Sequence, residues 1–127
     1  MPIKHGDGSG AGTALRGGRK LQLFGSRKAF IEKLSQFFEL TRMEWDEMGS
    51  RTGARALPRP YYWAGNEPDI HAAWMFAQAG RPDLTQKWVK WAMANFYGTG
   101  ADGLPGNDDG GAMSAWYLFG AFGFYPI

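Results

Sequence analysis

The sequence predicts an all-α fold built from helical hairpins. Apolar residues recur at helical spacing in four stretches, and no stretch alternates convincingly between apolar and polar residues with a period of two. An acidic loop, a helical stretch and a terminating glycine also occur in that order twice, around residues 65–80 and 106–123. Repeated helical hairpins are the building units of solenoids and toroids.

Composition limits the class of protein. The 127 residues are enough for one domain with a modest core, and 44% of them are apolar, including six Trp and nine Phe. A net charge of +2 is too small to indicate nucleic-acid binding, and the absence of Cys rules out disulfides and thiolate metal sites. No apolar run reaches membrane-spanning length, and the chain as given carries no export signal.

Residues 1–22 differ from the rest of the chain. They are rich in glycine and show neither helical nor strand periodicity, so we expect a disordered tail there and the ordered part over residues 23–127. Because no aromatic residue interleaves the charges of residues 13–20, a solvated tail is the favoured interpretation of this basic run.

The first predicted helix covers residues 27–41. Ser26 is a plausible N-cap, and Phe30, Leu34 and Phe38 mark one buried face. The helical pattern fades over residues 43–60, where we expect an irregular connection.

Three further helices are punctuated by proline and glycine. Pro68 suits a first helical turn behind a possible Asn66 cap, and that helix is expected to stop at Gly80. The next begins at Pro82 and extends to about Tyr97. After a loop over 98–111, the last helix is expected over 112–122, ending at Gly123.

The two acidic loops are expected at the same end of the bundle. Short connections favour antiparallel neighbours, so the helices that follow residues 66–69 and 107–109 should run in the same direction. The side chains gathered there would be Asn66, Glu67, Asp69, His71, Asn107, Asp108 and Asp109, beside Tyr61, Tyr62 and Trp63.

Such a cluster supports two chemistries and one purely structural role. Hard oxygen ligands suit calcium, and paired carboxylates suit acid–base work on a glycosidic bond, with an aromatic ring against the sugar. Alternatively, Asp108 and Asp109 only cap the helix behind them, and His71 is a capping or supporting residue. Helical spacing favours core packing for Trp74, Trp88, Trp91 and Trp116. The residues alone therefore indicate an α-helical end that binds carbohydrate or a cation.

Four blocks carry a family resemblance. They are residues 66–71 (NEPDIH), 80–89 (GRPDLTQKWV), 103–117 (GLPGNDDGGAMSAWY) and 123–126 (GFYP). In order and spacing they resemble glycoside hydrolase family 92, the calcium-dependent exo-acting α-mannosidases, over roughly residues 21–127.

The resemblance implies part of an (α/α)6 toroid, inverting hydrolysis of terminal α-mannosides, and a calcium ion that helps to bind and distort the mannose. By position, Asp109 is expected to be the base, with Asp108 or Asn107 assisting. Asn66 and Glu67 are expected to contact sugar and calcium. His71 and Trp63 would add substrate contacts.

The chain also departs from the family pattern. The general acid lies in a Glu-Gly-Asn-x-Trp type block in the family, whereas residues 1–22 contain no Glu, so we expect no activity from this chain alone. Residues 1–22 are expected not to be native family sequence. The expected partners are mannose-containing glycans and the remainder of a parent enzyme, from a family whose members are commonly exported. The alternative is a non-catalytic carbohydrate- or calcium-binding helical module.

Overall fold

A computed structural model describes residues 23–52 and 61–126, and the regular secondary structure in these ranges is helical. The α-helices are α1 (Arg27–Thr52), α2 (Met75–Gln78), α3 (Pro82–Phe96) and α4 (Ala112–Phe122), with 3-10 turns at Glu67–Asp69 and Ala72–Trp74. Within the described ranges no residue lies in a strand, which confirms the all-α prediction. The predicted disordered tail over 1–22 lies outside the described residues, as does the part of the predicted connection over 53–60.

Helix α1 is longer than predicted. It begins behind Ser26, whose Oγ accepts a hydrogen bond from the Ala29 amide at 3.1 Å, as expected of an N-cap. The irregular connection expected from residue 43 is wrong up to Thr52, because α1 continues to that residue. Arg42 donates to both Glu39 and Asp46 at 2.9 Å, which links successive turns across the predicted boundary.

Contacts with α3 support the same extension. The Trp45 indole N–H donates to Asn95 Oδ1 at 3.0 Å, and the Trp45 ring packs edge-on against Phe96 at 4.8 Å. Tertiary packing therefore extends the helix where the periodic signal fades.

The prediction of a single helix over residues 68–80 is also wrong. It is two 3-10 turns followed by the single-turn α2. The cause is visible at Thr85, whose hydroxyl donates to the Ala73 carbonyl and accepts from the Ala77 amide, both at 2.9 Å. This hydroxyl stands between the two groups that an α-helix would pair directly, so the ladder is interrupted there.

The described elements alternate in direction. Residues 67–78 and α3 form a hairpin around Gly80. Helix α4 runs antiparallel to α3, because the Tyr97 hydroxyl after the end of α3 donates to the Met113 carbonyl near the start of α4, whereas Gly120 near the end of α4 lies against Met93. Helices α1 and α3 run in the same direction, since Lys87 binds Glu39 and the later Asn95 binds the later Trp45.

The core is mainly aromatic. Phe38 lies at its centre, stacked on Trp88 at 5.0 Å and packed against Tyr62 at 4.4 Å. Trp74, Trp88 and Trp116 are buried and Trp91 is partly buried, which confirms core packing for these four residues. On α4, by contrast, Leu118 and Phe122 are 56% and 71% exposed, so this helix presents an apolar face that the described residues leave uncovered.

Candidate functional site

The two acidic loops touch through glycine. A Cβ placed on Gly65 would lie 2.5 Å from the Pro105 carbonyl oxygen and 2.7 Å from Trp63 Nε1, and one on Gly106 would lie 3.6 Å from the Gly65 Cα. Only a residue without a side chain permits this approach. The segment before Asn66 and the segment before Asn107 are therefore neighbours, as the topology predicted.

The loop between α3 and α4 has a defined shape. Its first part, residues 98–103, is closed by a hydrogen bond from the Gly98 amide to the Gly103 carbonyl at 2.8 Å, and the Gly103 amide donates to the Gly100 carbonyl at 2.9 Å. Gly103 and Pro105 are buried, whereas Asn107 is exposed. The loop therefore holds its tip at a fixed place in front of α4.

Asp108 caps helix α4. One of its carboxylate oxygens, Oδ1, accepts from both the backbone amide and the hydroxyl of Ser114, each at 2.9 Å. Its carbonyl accepts from the Gly111 and Met113 amides at 3.1 and 3.2 Å. The capping role predicted as an alternative therefore holds for Asp108.

Asp109 is in a different situation. It is exposed, and its φ of +50° places it in the left-handed region, directly before Gly110 and Gly111, which also have positive φ. Within residues 23–52 and 61–126, its carboxylate takes part in no side-chain hydrogen bond. Of the two adjacent carboxylates, Asp109 is thus the one available to a ligand.

The first acidic block is organised by Asp69. Its Oδ2 accepts from the Trp63 backbone amide at 3.2 Å and from Asn66 Nδ2 at 3.1 Å. Asn66 is the N-cap residue of the 3-10 turn Glu67–Asp69, as predicted, but its side chain makes no capping bond to that turn. Glu67 is exposed.

Two further predicted residues have other surroundings. Trp63 is half-buried, with its ring edge-on to Phe96 at 5.4 Å. His71 precedes the turn Ala72–Trp74 without a side-chain capping bond to it. His71 lines a mostly apolar groove of about 380 Å³, together with Phe24 and Phe30 from the start of the chain's described part.

Tyr97 lies near the loop, and the sequence pattern predicts it only as the end of a helix. Its hydroxyl donates to the Met113 carbonyl at 3.2 Å, and its ring stacks on Trp116 at 5.7 Å with an interplanar angle of 4°. Burial raises the pKa of Tyr97, and the nearby negative charge of Asp108 adds to the effect. Its place just before a glycine-rich loop was the available signal.

The residues expected to contact calcium are Asn66 and Glu67. Asn66 and Glu67 carry the oxygen donors that calcium prefers, and Asn66 uses its Nδ2 toward Asp69, which leaves its Oδ1 without a described partner. Among residues 23–52 and 61–126, however, no three Asp, Glu or His side chains lie close enough together to hold a metal ion. These two residues fit a calcium site in chemistry and supply fewer oxygens than the six to eight that calcium takes.

The described residues form helical hairpins, and they present the Asp109 carboxylate beside a second acidic loop. Glycoside hydrolases work with pairs of carboxyl groups, so these features are typical of a helical glycoside hydrolase domain. The comparison with protein families agrees. The chain belongs to glycosyl hydrolase family 92, because the model of that family's catalytic domain matches residues 20–127.

A curated relative is known from the fungus Arthroderma benhamiae. It is described as an uncharacterized secreted glycosidase and is 36% identical over 64 residues, which are 50% of this chain. The match spans only 8% of that protein's length.

In the described part of this chain, no helix is both long and apolar enough to cross a membrane.

Proposed function

We propose that this chain forms part of the active-site end of an enzyme that hydrolyses terminal α-mannosidic bonds with inversion. The observation that carries the proposal is the contact of Gly65 with Pro105 and Gly106, which brings the residue before Asn66 beside the residues before Asn107. Membership of the glycosyl hydrolase family 92 supports the reaction type. The alternating helical hairpins are compatible with part of an (α/α)6 toroid.

Asp109 is the proposed base. In an inverting reaction, a carboxylate takes a proton from water while the water oxygen bonds to the anomeric carbon. The bond to the leaving oxygen breaks as a carboxylic acid protonates that oxygen. Asp109 is exposed and free of side-chain hydrogen bonds to the described residues, as the role requires. Asn107, exposed two residues earlier, would orient the water or the sugar.

The first acidic block would hold the substrate. Asn66 and Glu67 offer polar groups to sugar hydroxyls, and the half-buried Trp63 offers an aromatic surface beside them. His71 would add a contact from the groove side. Asn66 and Glu67 would also help to hold a calcium ion, together with ligands outside the described residues; when bound, the ion supplies positive charge that favours a distorted mannose ring.

The general acid is proposed to come from outside this sequence. The acid is expected in a Glu-Gly-Asn-x-Trp type block, which this sequence does not contain, and on that ground this chain alone would bind mannose-containing glycans without hydrolysing them. The same loops would serve a non-catalytic binding module. The relative's description as secreted supports export of the enzyme to which this chain belongs.

The test combines binding with turnover. Methyl α-mannoside is titrated into the wild-type chain, with calcium and with chelator, and hydrolysis of an aryl α-mannoside is followed in parallel. Wild type and Asp109→Asn are expected to bind the mannoside equally, whereas Glu67→Gln weakens calcium binding. Asp83→Asn is the control, because Asp83 lies in the first turn of α3 with its carboxylate on Arg81.

Three results would contradict the proposal. Absence of saturable binding of either ligand would leave capping as the only role of the acidic loops. Hydrolysis by the wild-type chain that survives Asp109→Asn would remove Asp109 from the base position. Calcium binding that is equally weakened by Glu67→Gln and Asp83→Asn would remove Glu67 from the metal site.

A further inference from the structure

The two adjacent carboxylates of the loop have unlike surroundings. Asp108 is half-buried, and its Oδ1 accepts two hydrogen bonds from Ser114, through the amide and the hydroxyl. Asp109 is exposed and is bonded to the following turn only through its backbone carbonyl, which accepts from Ala112 at 3.4 Å. The Oδ1 of Asp108 is thus engaged with the first turn of α4, whereas the described residues give the Asp109 carboxylate no hydrogen bond.

The backbone of Asp109 needs support from its neighbours. A residue other than glycine at positive φ costs about 1 kcal/mol or more, and it persists only where the surroundings determine it. The surroundings here are supplied by Asp108. Its carboxylate is bonded to Ser114 and its carbonyl to Gly111 and Met113, which fastens the residue before Asp109 to the first turn of α4.

We infer that Asp108 is a positioning residue, which together with Ser114 fixes the backbone conformation of Asp109 and hence the direction of its carboxylate. The inference rests on the proposed function, in which Asp109 is the base. It goes further by separating the two carboxylates: Asp109 acts on the substrate side, and Asp108 acts through Asp109. What Asp108 must provide is an acceptor oxygen for Ser114, and its negative charge is not required.

Conservative and non-conservative variants distinguish this role from direct catalysis and from plain capping. Asp108→Asn keeps an acceptor oxygen, whereas Asp108→Ala removes both hydrogen bonds. Ser114→Ala removes only the bond from the hydroxyl and keeps the bond from the backbone amide. Ser26→Ala is the matched control, since it removes a similar side-chain cap from α1, at a helix start in another part of the chain. Each cap is worth about 1 kcal/mol, so the variants are compared at similar loss of stability.

The first measurement is made without ligand. NMR backbone chemical shifts and couplings of Asp109 and Gly110, which report the sign of φ, are expected to change in Asp108→Ala. A smaller change is expected in Ser114→Ala, which keeps the amide bond to Asp108. The shifts and couplings are expected to stay at wild-type values in Asp108→Asn and Ser26→Ala. Asp109 signals that are unchanged in all four variants would overturn the inference, as would a change in Asp108→Asn equal to that in Asp108→Ala.

The second measurement uses two sugars. A cationic iminosugar of mannose configuration places its charge near the base, whereas methyl α-mannoside does not. Asp108→Ala is expected to weaken iminosugar binding about tenfold, on the order of one charge-assisted hydrogen bond, and Ser114→Ala is expected to weaken it less. Both variants are expected to leave binding of the neutral mannoside unchanged. Equal weakening of both sugars would assign Asp108 to capping alone. If the wild-type chain binds neither sugar, the proposed function fails, and the NMR comparison still decides the role of Asp108.

Discussion

The indole N–H of Trp116 donates a hydrogen bond to the backbone carbonyl of Ile70 at 2.6 Å. Trp116 belongs to α4, behind the loop that carries Asp109, and Ile70 ends the 3-10 turn that follows Asn66. One bond thus joins the elements behind the two acidic loops. Because Trp116 is only 2% exposed, its indole N–H has little access to water and this bond satisfies it.

The substitutions Trp116→Phe and Trp88→Phe together test how much that hydrogen bond contributes to the free energy of unfolding. Trp116 and Trp88 are equally buried, but Trp88 Nε1 has no hydrogen-bond partner among the described residues. Both substitutions remove the same volume, and only Trp116→Phe breaks a hydrogen bond. Urea denaturation should show Trp116→Phe to be less stable than Trp88→Phe by about 1–2 kcal/mol. Equal losses would mean that the Ile70 bond adds nothing beyond packing.

Gly65 should be intolerant of any side chain. An Ala Cβ there would stand 2.5 Å from the Pro105 carbonyl oxygen, which is backbone and cannot swing aside. Gly65→Ala is expected to cost about 2 kcal/mol or more and to weaken mannoside binding, because the loops must separate. In Gly106→Ala the nearest atom is the Gly65 Cα at 3.6 Å, an ordinary contact, so this variant should stay within about 1 kcal/mol of wild type. Similar thermal melts for the two variants would contradict the prediction.

The buried hydroxyl of Tyr62 has no hydrogen-bond partner among the described residues. The residue is 3% exposed. Tyr62→Phe keeps the ring that packs on Phe38 and removes an uncompensated polar group. Stability should therefore be unchanged or raised by up to about 1 kcal/mol. Tyr97→Phe, which loses the bond to Met113, should cost about 1 kcal/mol. A larger loss from Tyr62→Phe than from Tyr97→Phe would show that the Tyr62 hydroxyl is bonded.

The chain should lose stability in alkaline solution. Burial raises the pKa of Tyr62, of Tyr97 and of Tyr125 in the folded state. Above pH about 10 the unfolded chain ionises these phenols while the folded chain keeps them neutral, so the stabilisation that is complete below pH about 10 is lost as pH rises toward the folded pKa values. Each such tyrosine contributes a slope of at most about 1.4 kcal/mol per pH unit.

Urea midpoints measured from neutral to strongly alkaline pH check this slope, with phenolate absorbance as a second probe. In the double variant Tyr62→Phe, Tyr97→Phe, the free energy of unfolding should fall less steeply with pH in the alkaline range than in the wild type. If the free energy of unfolding falls equally steeply in the double variant and in the wild type, other groups cause the loss of stability at alkaline pH.

Sequence alone determined the parts of this protein that depend on local signals. Helix α4 begins and ends where predicted, at Ala112 and Phe122, because Gly111 and Gly123 adopt left-handed backbone at its two ends. Helix α3 matches nearly as well, since Pro82 begins it by local stereochemistry. The placement of both acidic loops at one end also followed from the sequence, because short connections allow few arrangements.

Tertiary structure decided what local signals leave open. Helix α1 continues past Met43 because Trp45 packs on α3, and the segment after Pro68 is tightened into 3-10 turns because Thr85 binds two of its backbone groups. The different roles of Asp108 and Asp109 arise in the same way. Both are aspartates one residue apart, and only the position of Ser114 makes one a helix cap and leaves the other free. Sequence spacing records which groups are near along the chain, whereas these outcomes depend on which groups meet across it.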